Sequence, residues 1–122
     1  EGRVLGDLTM NHIVPIASRY EALLLDKVYK MSQIPGLNAS ADIALIKKIQ
    51  DHTAEIQKLT GEMIDARKVA NRIEDQREKA IAYHDTVAVF FDRIRYHIDK
   101  LEEIVDDQIW PLPKYRELLF LR

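Results

Sequence analysis

The sequence predicts an all-α fold: an antiparallel three-helix bundle of long helices with a short, proline-linked, helical C-terminal tail. Apolar residues recur at steps of three and four along most of the chain, which is the spacing of one helical face. No stretch between residues 41 and 109 shows the alternation of a strand. At 122 residues with 47% hydrophobic and 31% charged side chains, the chain can bury a core. We therefore expect a single helical domain over residues 1–122.

The first helix is predicted over about residues 3–31. Pro15 lies inside it, where it removes the hydrogen bond to the carbonyl of Asn11 and crowds that turn, so we expect a kink rather than a break. Its apolar stripe consists of Leu5, Leu8, His12, Ile16, Tyr20, Leu24, Val28 and Met31.

The second helix is predicted over about residues 40–72, after a loop that contains Pro35 and Gly36. Ser40 is a candidate cap for the amino terminus of this helix, and Asp42 in its first turn favours the helix dipole. Its stripe consists of Ile46, Ile49, Thr53, Ile56, Leu59, Met63, Ala66, Ala70 and Ile73.

The third helix is predicted over about residues 75–109. No glycine or proline marks its start, but Asp75 followed three residues later by Glu78 resembles a capping box, so we place the break near Arg72–Asp75. An unbroken helix over 41–109 would be roughly 100 Å long and would need a partner chain to cover its stripe. Folding back buries the stripes within one molecule. The third stripe consists of Val87, Phe91, Ile94, Ile98, Leu101 and Val105.

Residues 110–122 form the predicted tail. Trp110 precedes a proline and is disfavoured in helical backbone, so the third helix must end by that point. Lys114 to Leu121 can form one or two further helical turns. The tail carries too much apolar surface for a free end, so we expect it to dock on its own bundle or on a neighbouring subunit. The candidate interface residues are Trp110, Pro111, Pro113, Tyr115, Leu118 and Phe120.

Composition argues against several functional classes. The net charge of −2 and the pI of about 6.1 provide no basic surplus for a nucleic acid. The longest apolar runs are far shorter than the ~20 residues of a membrane-spanning helix. The absence of cysteine is compatible with a cytoplasmic location. Because the chain begins with Glu1, we expect it to be a fragment of a longer one.

No catalytic, cofactor-binding or metal-binding residue is predicted. A di-iron site in a helical bundle needs paired Glu-x-x-His motifs, whereas Thr9, Ile49, Ile81 and Ile94 stand three residues before the four histidines. No Gly-x-Ser-x-Gly turn and no glycine-rich phosphate loop occur. We expect the histidines to lie on or beside the apolar stripes, each with a ring nitrogen on a carbonyl or carboxylate.

Three segments resemble the type III glutamine synthetases, which are large bacterial enzymes. The stretch "AYHDTV…FFDRIRYHIDKLEEIVDDQIWPLPKYRELLFLR" from Ala82 is similar to their carboxyl end, which closes on a Trp-Pro-Leu-Pro-x-Tyr-Arg-Glu-Leu/Met-Leu-Phe pattern. The opening "EGRVLGDLTMNHIVPIASRYE" is similar to the run into that region, and "EMIDARKVANRIED" is a weaker match. Residues 32 to 61 carry little of this signal.

The resemblance implies a parent enzyme of nitrogen metabolism that ligates ammonia to glutamate with ATP and Mg²⁺ or Mn²⁺, within a ring-based homo-oligomer. It implies that the catalytic ligands lie in an upstream domain, so none is carried over to this sequence. We therefore expect a non-catalytic C-terminal domain that supports the catalytic domain or the oligomer. The alternatives are a free-standing helical adaptor or dimeric coiled coil, and a carboxylate-bridged metalloenzyme.

Overall fold

The computed structural model of this chain describes Gly6 and residues 9–105, and it confirms the all-α bundle. Helix α1 spans Val14–Ser32, α2 spans Ser40–Asn71, α3 spans Gln76–Ala82 and α4 spans Val89–Ile104. Two π-helical turns, Thr9–Ile13 and Tyr83–Val87, precede α1 and α4. No strand is present in the described part of the chain.

A π-helical turn, not a regular α-helix, directly precedes the helix that contains Pro15. Thr9–Ile13 has the wider geometry, and Pro15 then stands in the first turn of α1. A proline there removes no bond that α1 needs, because the first amide groups of an α-helix have no partner within it. The irregularity expected at Pro15 therefore lies in the turn before it.

The loop between α1 and α2 contains a correction to the predicted cap. Gly36 has a φ of 91°, a conformation that favours glycine. Ala39, not Ser40, is the residue before the helix, and its side chain makes no capping bond. The Asn38 side chain accepts a hydrogen bond from the Ser40 amide at 2.9 Å instead. The prediction of Ser40 as the cap was therefore wrong, because the helix begins one residue earlier than a cap at Ser40 requires and Ser40 is its first residue, not the residue before it.

The turn at Arg72–Asp75 separates α2 from α3. Asp75 has extended backbone (φ −69°, ψ 125°), and its side chain accepts a hydrogen bond from the Glu78 amide at 2.9 Å. This is the half of a capping box in which the N-cap side chain accepts from the amide three residues later. The 41–109 stretch is thus not one continuous helix.

The segment after Asp75 differs from the predicted third helix in two respects. A π-helical turn interrupts it, in which the Ala88 amide donates to the Tyr83 carbonyl at 3.0 Å and the Thr86 hydroxyl donates to the Ala82 carbonyl at 2.6 Å. The helix also ends at Ile104, because Val105 takes an extended conformation with ψ 135°. The predicted end at 109 was therefore too late, and residues 106–109 lie outside the described residues.

Helix α2 is the centre of the bundle and packs against both α1 and α4. The first segment runs antiparallel to α2, since Lys27 pairs with Asp42 whereas Gly6 lies beside Thr60 and Met63. The core is formed by the predicted stripes together with residues flanking Pro15; its apolar members are Ile13, Val14, Ile16, Ala17, Leu24, Ile46, Ile49, Ile56, Leu59, Met63, Ala70, Val87, Ile94, Ile98, Leu101 and Val105. His12, which the sequence placed on a stripe, is exposed because the π-helical turn shifts its direction.

Candidate functional site: a histidine pair between two helices

Two histidines meet across the seam between α2 and α4. The Nδ1 atoms of His52 and His97 lie 2.9 Å apart, and both side chains are partly buried. Antiparallel packing of α2 and α4 brings these residues together although 45 positions separate them in the chain. At this distance one imidazole donates its Nδ1–H and the other accepts it, so the two rings are in different tautomers.

An aromatic side chain flanks the histidine pair at the protein surface. The Tyr96 ring lies edge-on to His97, with centroids 5.1 Å apart, and 6.4 Å from the His52 ring. The Lys100 ammonium lies 5.6 Å from the centroid of the Tyr96 ring, within the range of a cation–π interaction. The three rings therefore form one cluster that Lys100 covers from α4.

Burial lowers the pKa of both His52 and His97 below the ordinary value of 6.5. At His52 the next influence is Asp51, which raises the pKa, followed by Lys100, which lowers it. At His97 a positive charge on His52 further lowers the pKa, whereas Glu55 raises it. Burial therefore favours the neutral form of both imidazoles, and the direct nitrogen-to-nitrogen hydrogen bond requires that one of the two Nδ1 atoms carry no proton.

An open cleft lies beside the pair, between α2 and α4. Its volume is about 340 Å³. Carboxylates and a guanidinium share its wall with apolar and aromatic surface, so the cleft has no single charge to select a ligand. The lining residues are Glu55, Leu59, Asp92, Arg93, Tyr96 and His97.

A second, smaller groove lies between α1 and α2. It has a volume of about 160 Å³, and the polar side chains of Ser18 and Glu21 from α1 and of Gln50, Thr53 and Gln57 from α2 line it together with apolar surface. The Thr53 hydroxyl is buried and has no hydrogen-bond partner among the described residues. A water molecule in the groove would satisfy this hydroxyl.

The other two histidines lie apart from the pair. His12 is exposed, and His84 is exposed with its Nδ1 3.2 Å from the carboxylate of its neighbour Asp85. The expected carbonyl or carboxylate partner was therefore wrong for His52 and His97, each of which bonds the other. Within residue 6 and residues 9–105, no three His, Cys, Asp or Glu side chains come together as a metal site would require.

The pairing of His52 with His97 had a weak signal in the sequence. When a helix folds back at Arg72–Asp75, residues at similar distances on either side of that turn come to lie opposite one another. His52 lies 20 positions before Arg72 and His97 lies 22 positions after Asp75, as counted from the sequence. A register count from the predicted turn places the two side chains within one helical turn of each other.

The predicted tail interface of Trp110, Pro111, Pro113, Tyr115, Leu118 and Phe120 lies outside the described residues. In the part of the chain that is described, no helix combines the length and the apolar character of a membrane span.

The described residues form a helical bundle with an imidazole pair between two of its helices, and the sequence was compared with known proteins. The whole chain is 50% identical, over 127 aligned positions, to a glutamine synthetase of Bacteroides fragilis, and spans 17% of that protein. It is 24% identical over its whole length to a type-3 glutamine synthetase of Dictyostelium discoideum, of which it also spans 17%. A glutamine synthetase of Butyrivibrio fibrisolvens is 26% identical over 76% of the chain. No protein-family model matches.

These relatives confirm the resemblance that the sequence motifs indicated. The chain is related to part of the glutamine synthetases, the type-3 form among them, over its entire length. It spans only about a sixth of the length of these relatives.

Proposed function

We propose that this chain is the non-catalytic C-terminal segment of a longer, bacterial, cytoplasmic type III glutamine synthetase. In this proposal the parent enzyme joins ammonia to glutamate with ATP and Mg²⁺ or Mn²⁺, and the segment supports the catalytic domain and the homo-oligomer. The relatives' shared name and the chain's full-length match to about a sixth of their length support the first part. The surface of the bundle supports the second part.

The observation that carries the structural role is a group of exposed, large apolar side chains at one end of the bundle. Single exposed leucines are ordinary on protein surfaces, but here they concentrate in the second half of α1, the following loop and the first turn of α2. Such a concentration is typical of a surface that another protein covers. We call this group the loop-end surface; its members are Leu25, Tyr29, Ile34, Leu37 and Ile43.

The chain leaves α4 at the same end of the bundle. The contact between His52 and His97 fixes the antiparallel register. Ile104 lies seven residues beyond His97, and about 1.5 Å per residue brings it beside Leu45, seven residues before His52. Residues 106–122, with the predicted tail interface, therefore continue from the end that carries the loop-end surface. In the proposal, the loop-end surface and the predicted tail interface both contact the rest of the enzyme.

The polar contacts of the described residues support a packing role rather than a chemical one. The imidazoles of His52 and His97 bond each other, and the Asp75 carboxylate caps a helix. Lys27 pairs with Asp42, and Lys30 pairs with Asp26 on the outside of α1. Each of these groups has a local structural partner, whereas binding of ATP and a metal ion needs several groups directed at one point.

The proposal is tested in a full-length glutamine synthetase that carries this segment. Ile34→Glu together with Leu37→Glu puts two charges on the loop-end surface, where both side chains are about half exposed in the isolated segment. The matched control is Lys47→Glu with Lys58→Glu, two exposed positions on α2. Sedimentation velocity should show a smaller assembly for the apolar pair and an unchanged one for the lysine pair. An unchanged assembly for both would contradict the proposal.

A free-standing adaptor or dimeric coiled coil remains the second proposal, motivated by the heptad-like steps of Val87 to Val105. The turn at Arg72–Asp75 weakens its continuous-helix version, because the stripes of α2 and α4 already cover each other. Sedimentation of the 122-residue chain distinguishes the two proposals. An elongated stable dimer would favour the coiled coil, and a compact monomer would oppose it.

A further inference from the structure

We propose that His52 and His97 form a proton-operated clasp between α2 and α4, which stays closed with one added proton and opens when it takes up a second. The proposal concerns the described bundle itself and does not depend on the enzyme to which the segment belongs.

The distance between the two nitrogens determines how many protons the clasp can hold. At 2.9 Å between Nδ1 atoms there is room for one hydrogen, which one ring donates and the other accepts. A first added proton can bind the Nε2 atom of the donating ring and leaves this bond in place as a charge-assisted one. A second must bind the accepting Nδ1, where two N–H groups would then point at each other, and the rings must separate.

Among the charged groups that shift the pKa of the two rings, carboxylates do not outnumber cations, so they do not compensate two imidazolium ions. Helix α2 contributes one cation and two carboxylates, and α4 contributes two cations and one carboxylate, beside the neutral Tyr96 ring. Asp92, which lines the same cleft as His97, is paired with Arg95. Helix α1 packs on another side of α2, where its Glu21 lines the separate polar groove. The charged groups that act on the pair are Lys48, Asp51 and Glu55 from α2 and Arg93, Lys100 and Glu103 from α4.

The direction of the pH effect follows from burial. Because the folded protein lowers the pKa of both rings below 6.5, the folded state binds fewer protons than the unfolded state as the pH falls through that value. The stability that the clasp provides is therefore complete above about pH 6.5 and is lost progressively below it, through the lowered pKa values. The pair titrates as a unit, so the two steps belong to both rings.

The position of the clasp determines which part of the bundle is weakened when its stabilising effect is lost. His97 lies in the middle of α4, and Val105, where the chain turns away from the helix, follows eight residues later. Opening the clasp loosens the seam that holds α4 on α2, while the apolar contacts of Ile94, Ile98 and Leu101 remain. Acidification thus weakens the anchoring of the helix that leads into residues 106–122.

Nuclear magnetic resonance of the histidine side-chain nitrogens tests the closed state directly in the unmodified chain. At pH 8 we expect one of the two rings to be protonated at Nδ1 and the other at Nε2, with a scalar coupling across the shared hydrogen. His12 and His84, both exposed, serve as internal references for an ordinary titration. Finding His52 and His97 both protonated only at Nε2 would overturn the proposal.

Urea unfolding between pH 8 and pH 5 tests the opening. The unfolding equilibrium constant of the unmodified chain should rise below pH 6.5, by up to about tenfold per pH unit for one proton of difference. His52→Gln together with His97→Gln should remove this portion of the pH dependence, whereas the matched control His84→Gln should retain it. An identical pH dependence in all three chains would contradict the clasp. Displacement of the shared hydrogen by micromolar Zn²⁺ at pH 7.5 would also contradict it, because the pair would then be a metal site.

Discussion

The two seams of the bundle differ in how they combine apolar and polar contacts. Between α2 and α4, the fully buried Ile94, Ile98 and Leu101 form a continuous apolar stripe, and the histidine pair lies along its edge. Between α1 and α2, the seam contains buried side chains such as Leu24 and also the polar groove. An exposed ion pair joins Lys27 to Asp42 at the loop end of this seam.

This difference indicates that α2 and α4 form the stable pair and that α1 is attached to it more loosely. Apolar burial stabilises in proportion to the area removed from water, and exposed ion pairs contribute little. The turn at Arg72–Asp75 adds to the difference, since it is short and capped, whereas seven residues, 33–39, connect α1 to α2. The looser helix also carries part of the loop-end surface.

The largest effect is expected at the α2–α4 seam. Ile98→Ala should lower the free energy of unfolding by about 2–5 kcal/mol, near the upper end, because Ile98 is fully buried and the helices on both sides limit collapse of the cavity. Urea unfolding at pH 7.5 measures this change. Val89→Ala, an exposed position at the start of the same helix, is the control and should change stability by less than about 0.5 kcal/mol. Similar losses of unfolding free energy for Ile98→Ala and Val89→Ala would contradict the burial of Ile98 between the helices.

A smaller effect is expected at the α1–α2 seam. Leu24→Ala should lower the free energy of unfolding by about 2–3 kcal/mol, since Leu24 is 7% exposed, whereas Ile98 is completely buried, and water can reach part of the space that the substitution leaves. The control is the adjacent Leu23→Ala, which removes an exposed side chain of the same type. A loss from Leu24→Ala that exceeded that from Ile98→Ala would reverse the ranking of the two seams.

The cap at the turn contributes less again. Asp75→Ala removes the acceptor for the Glu78 amide and should lower the free energy of unfolding by about 1 kcal/mol. Asp75→Asn keeps a side-chain oxygen in the same place and should retain nearly all of the stability. Thermal unfolding compares the three chains, and equal losses from Ala and Asn would show that charge rather than capping matters there.

The smallest effect is expected for the ion pair at the loop end. Lys27→Met should change the free energy of unfolding by less than about 1 kcal/mol, because the Lys27 side chain is mostly exposed and the pair is screened by solvent. A double-mutant cycle with Asp42→Asn isolates the interaction from other effects of each change. A coupling energy well above 1 kcal/mol would mean that the α1–α2 seam depends on charge.

Periodicity predicted the fold well, because the three-and-four spacing of apolar residues directly reports which face is buried. Met63 and Leu101, for example, were placed on the core face and are buried there. Asp75 was predicted as a cap because its effect is local, within four residues of the chain. The prediction of Ser40 as a cap failed because the helix begins at Ser40, after Ala39, and Asn38 accepts the hydrogen bond of the Ser40 amide.

The candidate site was much less predictable than the fold. The partner of His52 depends on the register of two helices that meet after a turn, and periodicity alone does not give that register. The π-helical turn at Tyr83–Val87 was missed because it needs one extra residue per turn, which leaves the apolar spacing on either side intact. Glu102 lies outside the predicted apolar stripe but is buried near the end of α4.

The sedimentation coefficient of a full-length glutamine synthetase, measured before and after removal of the region that corresponds to this chain, tests the central claim most directly. If the bundle supports the assembly, its removal should lower the number of subunits in each complex. The sedimentation coefficient should then fall by clearly more than the lost mass of the bundle explains. An assembly that keeps its subunit number after the removal would contradict the account.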